Sequence, residues 1–256
     1  MPFHSACGTS RVDVTLSRSR WTSRVDVILS ESLLDGHSYE RLKKKNTHTH
    51  TANGYLEIVK EWVLERSVDM NGRDKKGWTG LHRASSKGHV KIVEFLIRNG
   101  ADVNRTNKYN MIALYIAILS DRLESAKIMI ENGSNVNIRI GSNSPDSFQR
   151  GKSPLDLACY KGQLEICSLL LENGANPNDG TESTPLILAC QAAHFDVAAL
   201  LLKHGVDDVN KYDHTKTTAL QYACAASSSL EIVRLVFERQ ECHWYHSNNK
   251  RSKYRY

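Results

Sequence analysis

Apolar residues recur along most of the chain in short stripes with helical spacing. Ile92, Val93, Leu96 and Ile97 lie within one turn of one another and define one buried face. The same spacing returns at Ile166, Leu169 and Leu170, and again at Ile232, Val233 and Val236. Ahead of each stripe lies a shorter apolar segment anchored by a single leucine, giving the series Leu81, Leu114, Leu155, Leu186 and Leu220. Successive anchors are 33, 41, 31 and 34 residues apart, a period near 33 with one eight-residue insertion. The pattern predicts paired helices. A pair this short cannot bury its apolar face alone, so its stability depends on stacking against neighbours.

Polar landmarks recur in the same register. Thr79, Ser153, Thr184 and Thr218 each precede an anchoring leucine by two positions, where a side-chain oxygen can accept from orphan N–H groups of the first helix. Pro154 and Pro185 fall at the first helical position, which needs no donor. Gly100, Gly133, Gly174 and Gly205 close the second helix where a left-handed turn is expected. Two departures are costly on the same reasoning. Ile112 replaces the capping hydroxyl, at about 1 kcal/mol. Arg66 stands in the glycine slot, at about 1–2 kcal/mol.

The aligned copies "GWTGLHRASSKGHVKIVEFLIRNGADVN" and "GKSPLDLACYKGQLEICSLLLENGANPN", with their T-P-L-type openings, resemble the ankyrin-repeat family over residues 53–239. The resemblance implies an all-α ankyrin-repeat solenoid of helix-turn-helix pairs with β-turn fingers, about five and a half repeats long. Approximate repeats are 46–73, 74–106, 107–140, 147–178, 179–212 and 213–239, with a finger insertion at 140–151. The insertion is polar and contains Pro145, so it reads as a flexible loop whose one large apolar residue beyond its base is Phe148. Residues 1–45 fall outside the period, are rich in serine and arginine, and are expected to be disordered. Residues 240–256 form a basic tail.

Composition narrows function mainly by exclusion. A net charge of +6 over 256 residues is too mild to indicate a nucleic-acid binder on its own. No apolar run is long enough to span a bilayer, and the expected location is the cytoplasm, or else the nucleus. None of the six cysteines forms a C-x-x-C pair. Cys159, Cys190 and Cys224 share one slot four residues after an anchoring leucine and read as small buried packing residues. "GKS" at residues 151–153 has the look of a phosphate loop, but Asp146 stands where that motif needs glycine. His48 and His50, in an alternating Thr-His run, lack further ligands and occupy the first-helix slot of the initial repeat. No nucleophile–base pair, carboxylate dyad or metal cluster emerges, so no catalytic, cofactor or metal site is expected.

The family resemblance places partner binding on the fingers and the exposed ends of the first helices. The slots there hold Lys75, Lys76 and Trp78, then Lys108, Tyr109 and Met111, then Phe148, Arg150 and Lys152, then Glu182 and His214. First-helix slots add Lys87, Tyr160 and Lys161. Cations interleaved with aromatics suit a protein interface, and the expected partner is an acidic or phosphorylated protein segment bound to a monomer. The alternatives are nucleic-acid or phosphoinositide binding through basic fingers and tails, or service as the ankyrin arm of a longer enzyme or ubiquitin-ligase adaptor. His82 occupies the family's histidine slot, which implies hydrogen bonding between neighbouring turns. Asn104 and Asn210 stand where the family resemblance suggests asparaginyl hydroxylation.

Overall fold

The computed structural model describes residues 56, 59–60, 69–180, 183–226, 230 and 233–239. The initial repeat's "NTHTHT" run, Arg66, the N-terminal 45 residues and the basic tail lie outside them. The described helices come in pairs: α1 (Gly80–Lys87) with α2 (Val90–Arg98), α3 (Ala113–Leu119) with α4 (Leu123–Glu131), α5 (Pro154–Lys161) with α6 (Leu164–Glu172), and α7 (Pro185–Gln191) with α8 (Phe195–Lys203). A further first helix, α9 (Ala219–Ala225), is followed by helical residues 233–239. First helices stack on first helices and second on second, giving two parallel layers. Extended pairing among the described residues is limited to a bridge between Tyr212 and Thr218.

The expected caps are present. The hydroxyls of Thr79, Ser153, Thr184 and Thr218 accept from the backbone N–H of His82, Asp156, Ile187 and Gln221. Ile112 makes no capping bond, but it is wholly buried in the core. Burying such a side chain contributes about 1.5–3 kcal/mol, which outweighs the missing cap at about 1 kcal/mol. The anchoring leucines 81, 114, 155 and 186 are at most 1% exposed, as the period requires, whereas the last anchor, Leu220, is only partly buried. Gly100, Gly133, Gly174 and Gly205 all take positive φ.

A ladder of asparagines ties successive repeats together at the far edge. Asn104 Nδ2 donates to the Gly133 carbonyl at 3.1 Å while its Oδ1 accepts from Asn135 N. Asn137 bridges to Gly174 and Asn176 in the same way, and Asn178 to Gly205 and Asp207. Each amide satisfies two loop groups that helical bonding leaves open.

The turn between paired helices needs a left-handed residue, supplied in order by Gly88, Asp121, Gly162 and Ala193. Gly162 also leaves room for the His194 ring, which a Cβ would meet at 2.4 Å. Ala193, at φ 59°, has no such reason to be other than glycine. A left-handed alanine costs about 1–2 kcal/mol, and glycine gives back about 0.4–1 in the unfolded chain. Ala193→Gly should therefore stabilise the array by about 0.5–1 kcal/mol, read as a raised midpoint in urea.

Candidate interaction surface

The fingers are built by one repeated device. In the first, Asp74 Oδ1 accepts from Lys76 N and Trp78 N, both at 2.8 Å. Asn107 does the same for Tyr109 and Met111, and Asp213 for Thr215 and Thr217. This side-chain-closed turn was legible as an Asp or Asn seven residues before the anchoring leucine, a signal hidden at the insertion and absent from the expected site. Neighbouring fingers are then stitched together. Lys108 N donates to the Lys76 carbonyl at 3.3 Å, and Asn143 Nδ2 donates to the Lys108 carbonyl at 2.7 Å.

The insertion, expected as a flexible loop, carries its own hydrogen bonds. Its base is paired by Ile140 N to the Lys152 carbonyl and Gly151 N to the Ile140 carbonyl. A 3-10 turn at Ser147–Gln149 is capped by Asp146, and Arg150 Nε donates to the Ser144 carbonyl at 2.9 Å. Gly141 N donates back to the Tyr109 carbonyl, so the loop rests on the preceding finger. Backbone and side-chain bonds, more than apolar packing, shape it.

The structure sorts the sequence-assigned residues into distinct environments. Lys75, Lys76, Lys87, Lys108, Arg150 and His214 are exposed. Met111 is not on the finger face: it is 6% exposed, because the closed turn swings its side chain into the core. Lys152 is likewise withdrawn, at 9% exposure, since the insertion's base pairs at this residue, and its ammonium lies over the Phe148 ring. Trp78 and Tyr109 pack against the core, and Arg83 covers Trp78 at 4.7 Å. Lys161 is tied to the Leu119 carbonyl and the Asp121 carboxylate, both at 2.9 Å. Phe148 and Tyr160 remain 37% and 38% exposed and meet each other at 4.4 Å between ring centroids. Asn104 and Asn210 are both exposed, in the turns that close their repeats. Glu182 lies outside the described residues.

Finger charges differ in the partners they find. Asp74 pairs with Arg83, Asp179 with Arg139, and Asp213 accepts from Tyr222 as well as its own turn. Asp146 accepts from Phe148 N and Gln149 Nε2. By contrast the ammonium groups of Lys75, Lys76 and Lys108 have no ion pair among the described residues. On the opposite side, the second helices pair their charges with one another: Glu94 with Arg98, and Lys127 with Glu124 and Glu165.

Buried titratable groups support architecture. His82 Nδ1 accepts from Thr79 N at 3.1 Å, which leaves Nε2–H to donate to the Met111 carbonyl of the next repeat at 3.0 Å. Burial lowers its pKa to about 4. Asp156 performs the same capping role in α5, and burial raises its pKa to about 6. Cys159 and Cys167 sit with sulfurs 3.8 Å apart, and burial raises the Cys159 thiol. Burial also pushes Cys190 up to about 12. Such thiols hold their protons and are poor nucleophiles. Cys224 breaks the expectation of a buried slot and is exposed. Among the described residues no cluster of three His, Cys, Asp or Glu could hold a metal, and no helix is long and apolar enough to cross a membrane.

Comparison with known proteins agrees with this architecture. A family model, Ankyrin repeats (3 copies), matches residues 47–140 and 155–247. The stretch between the two matches holds the insertion. Human Ankyrin repeat domain-containing protein 7 is 34% identical over 68 residues, covering 27% of this chain and 27% of that protein. Human Ankyrin repeat and SAM domain-containing protein 3 is 44% identical over 50 residues, covering 20% of this chain and 8% of that protein. The chain thus aligns with about a quarter or less of the length of these relatives.

Proposed function

Because the chain belongs to the ankyrin-repeat family, whose repeats form protein-interaction domains, we propose that its finger row holds an acidic segment of another protein without chemistry of its own. The observation that carries this reading is the one-sided use of finger charge. Asp74 and Asp179 are neutralised by Arg83 and Arg139, while Lys75, Lys76 and Lys108 face solvent along a hydrogen-bonded ridge without an ion pair among the described residues. Potential complementarity of this kind sets partner choice and association rate more than raw affinity. Fingers already joined by hydrogen bonds lower the ordering cost of binding.

Reversal of the three lysines (Lys75→Glu, Lys76→Glu, Lys108→Glu) should weaken binding of a fluorescein-labelled, glutamate-rich peptide at least tenfold. Fluorescence anisotropy at fixed ionic strength reads the effect, with the melting temperature as a check on folding. Unchanged affinity would sink the reading. So would tighter binding of a duplex oligonucleotide or of phosphoinositide-containing vesicles than of the peptide, with the steep salt dependence that phosphate contacts impose.

A further inference from the structure

Phe148 and Tyr160 come from different elements and are brought together only by the fold of the insertion. Phe148 is fixed from below: its N–H donates to Asp146 Oδ1 at 3.0 Å, and the loop is fastened to the preceding finger through Asn143 and Gly141. Tyr160 sits at the end of α5, which Lys161 fastens to the Leu119 carbonyl and the Asp121 carboxylate of the preceding repeat. Both rings therefore stand on segments bonded to the preceding repeat, yet each keeps more than a third of its surface in water. The rings meet at 47° and 4.4 Å, and the Lys152 ammonium stands 5.7 Å from the Phe148 centroid. Exposed, pre-positioned aromatics beside cations are the composition that dominates binding energy at interfaces.

We propose that the paired rings of Phe148 and Tyr160 seat one apolar side chain of the acidic segment, whose carboxylates then fall about three and six residues away on one side. This rests on the acidic-segment reading and adds its register. Stacked helices lie roughly 8–10 Å apart, and an extended chain advances about 3.3 Å per residue, so one finger corresponds to about three residues. The finger next to the ring pair carries Lys108, and the one beyond it carries Lys75 and Lys76, all exposed. Charge complementarity therefore places acidic side chains on that side of the apolar residue. The occupant is a segment of another protein with an aromatic or branched aliphatic residue followed, or preceded, by two spaced carboxylates.

The test is selection of a displayed random library of peptides about twelve residues long on the full chain. Five forms are compared: the unmodified protein, the Phe148→Ala/Tyr160→Ala double variant, the lysine-reversal triple variant, Phe148→Leu and Tyr160→Phe. The unmodified protein should enrich peptides with an apolar residue and acidic residues at the stated spacing. The double variant should enrich acidic peptides with no favoured apolar position, and should bind a peptide selected on the unmodified protein at least tenfold more weakly. Phe148→Leu and Tyr160→Phe should keep the preference, and a cooperative melt of every ring variant checks that the array still folds. The same apolar preference on the double variant, or an apolar preference without spaced acids, overturns the ring-pair proposal and leaves the acidic reading standing. Acidic enrichment that survives on the triple variant overturns the acidic reading itself. Enrichment of basic peptides, or of nothing above a blank support, overturns both.

Discussion

Replacing His82 with alanine should destabilise the array by about 3–5 kcal/mol, the largest single-residue effect expected here. The imidazole is fully buried and bonded at both ends, to the Thr79 backbone N–H and to the Met111 carbonyl 29 residues away. Its removal leaves a buried donor and a buried acceptor without partners, each costing about 1–3 kcal/mol, and opens a cavity beside Leu81 and Met111. The loss also uncouples adjacent repeats, and in a stacked array nearest-neighbour terms carry much of the stability. His82→Gln separates the two contributions. At the equivalent position in α9, Gln221 accepts from Thr218 N at 2.8 Å, so glutamine can restore the cap. It is too short to reach the next repeat as well, and should recover roughly half of the loss. Chemical denaturation of the three proteins side by side checks both values.

The second large effect is a dependence on pH that stays hidden until one of two groups is removed. His82 is lowered from 6.5 to about 4 on folding, chiefly by burial. Between those values the unfolded chain binds a proton that the folded chain refuses, so stability falls as pH falls. At 1.36 kcal/mol per unit the loss is about 3 kcal/mol across the window. Asp156 moves the other way, raised from 3.8 to about 6 by burial that outweighs the Ser153 N–H and the nearby Lys152 and Arg139 charges. Between those values the folded chain holds the extra proton, and stability rises as pH falls, by a similar amount. The two slopes oppose each other over nearly the same range. Asp156→Asn should unmask the histidine and lose about 3 kcal/mol between pH 6.5 and 4, where the parent changes little. His82→Gln should show the reverse slope. Urea midpoints measured at half-unit intervals would reveal it, and parallel curves for parent and variants would contradict the assignment of these two groups.

Much of this architecture was legible before any coordinates. Caps, prolines and turn glycines act through bonds between residues one to four apart, so Thr79, Ser153, Pro154 and Gly174 declared their roles through spacing alone. The anchoring leucines did so through the period. Ile112 was legible as a lost cap, but whether that loss mattered depended on its burial, which belongs to the packing of three successive repeats. The finger slots were legible as positions and much less so as exposures. Met111 and Lys152 occupy the same kind of slot as Lys108, yet closed turns and the insertion's base withdraw them.

Sequence by itself determined the repeat, its helix boundaries and its family, because each is fixed by local geometry copied several times. Tertiary structure alone decided which charges remain free, and that Phe148 meets Tyr160 across a loop that interrupts the period. Those outcomes depend on which donors reach which carboxylates, and on how twelve irregular residues fold back on a neighbouring finger. No spacing rule encodes such a contact, because it occurs once in the chain and has no second copy against which to read it.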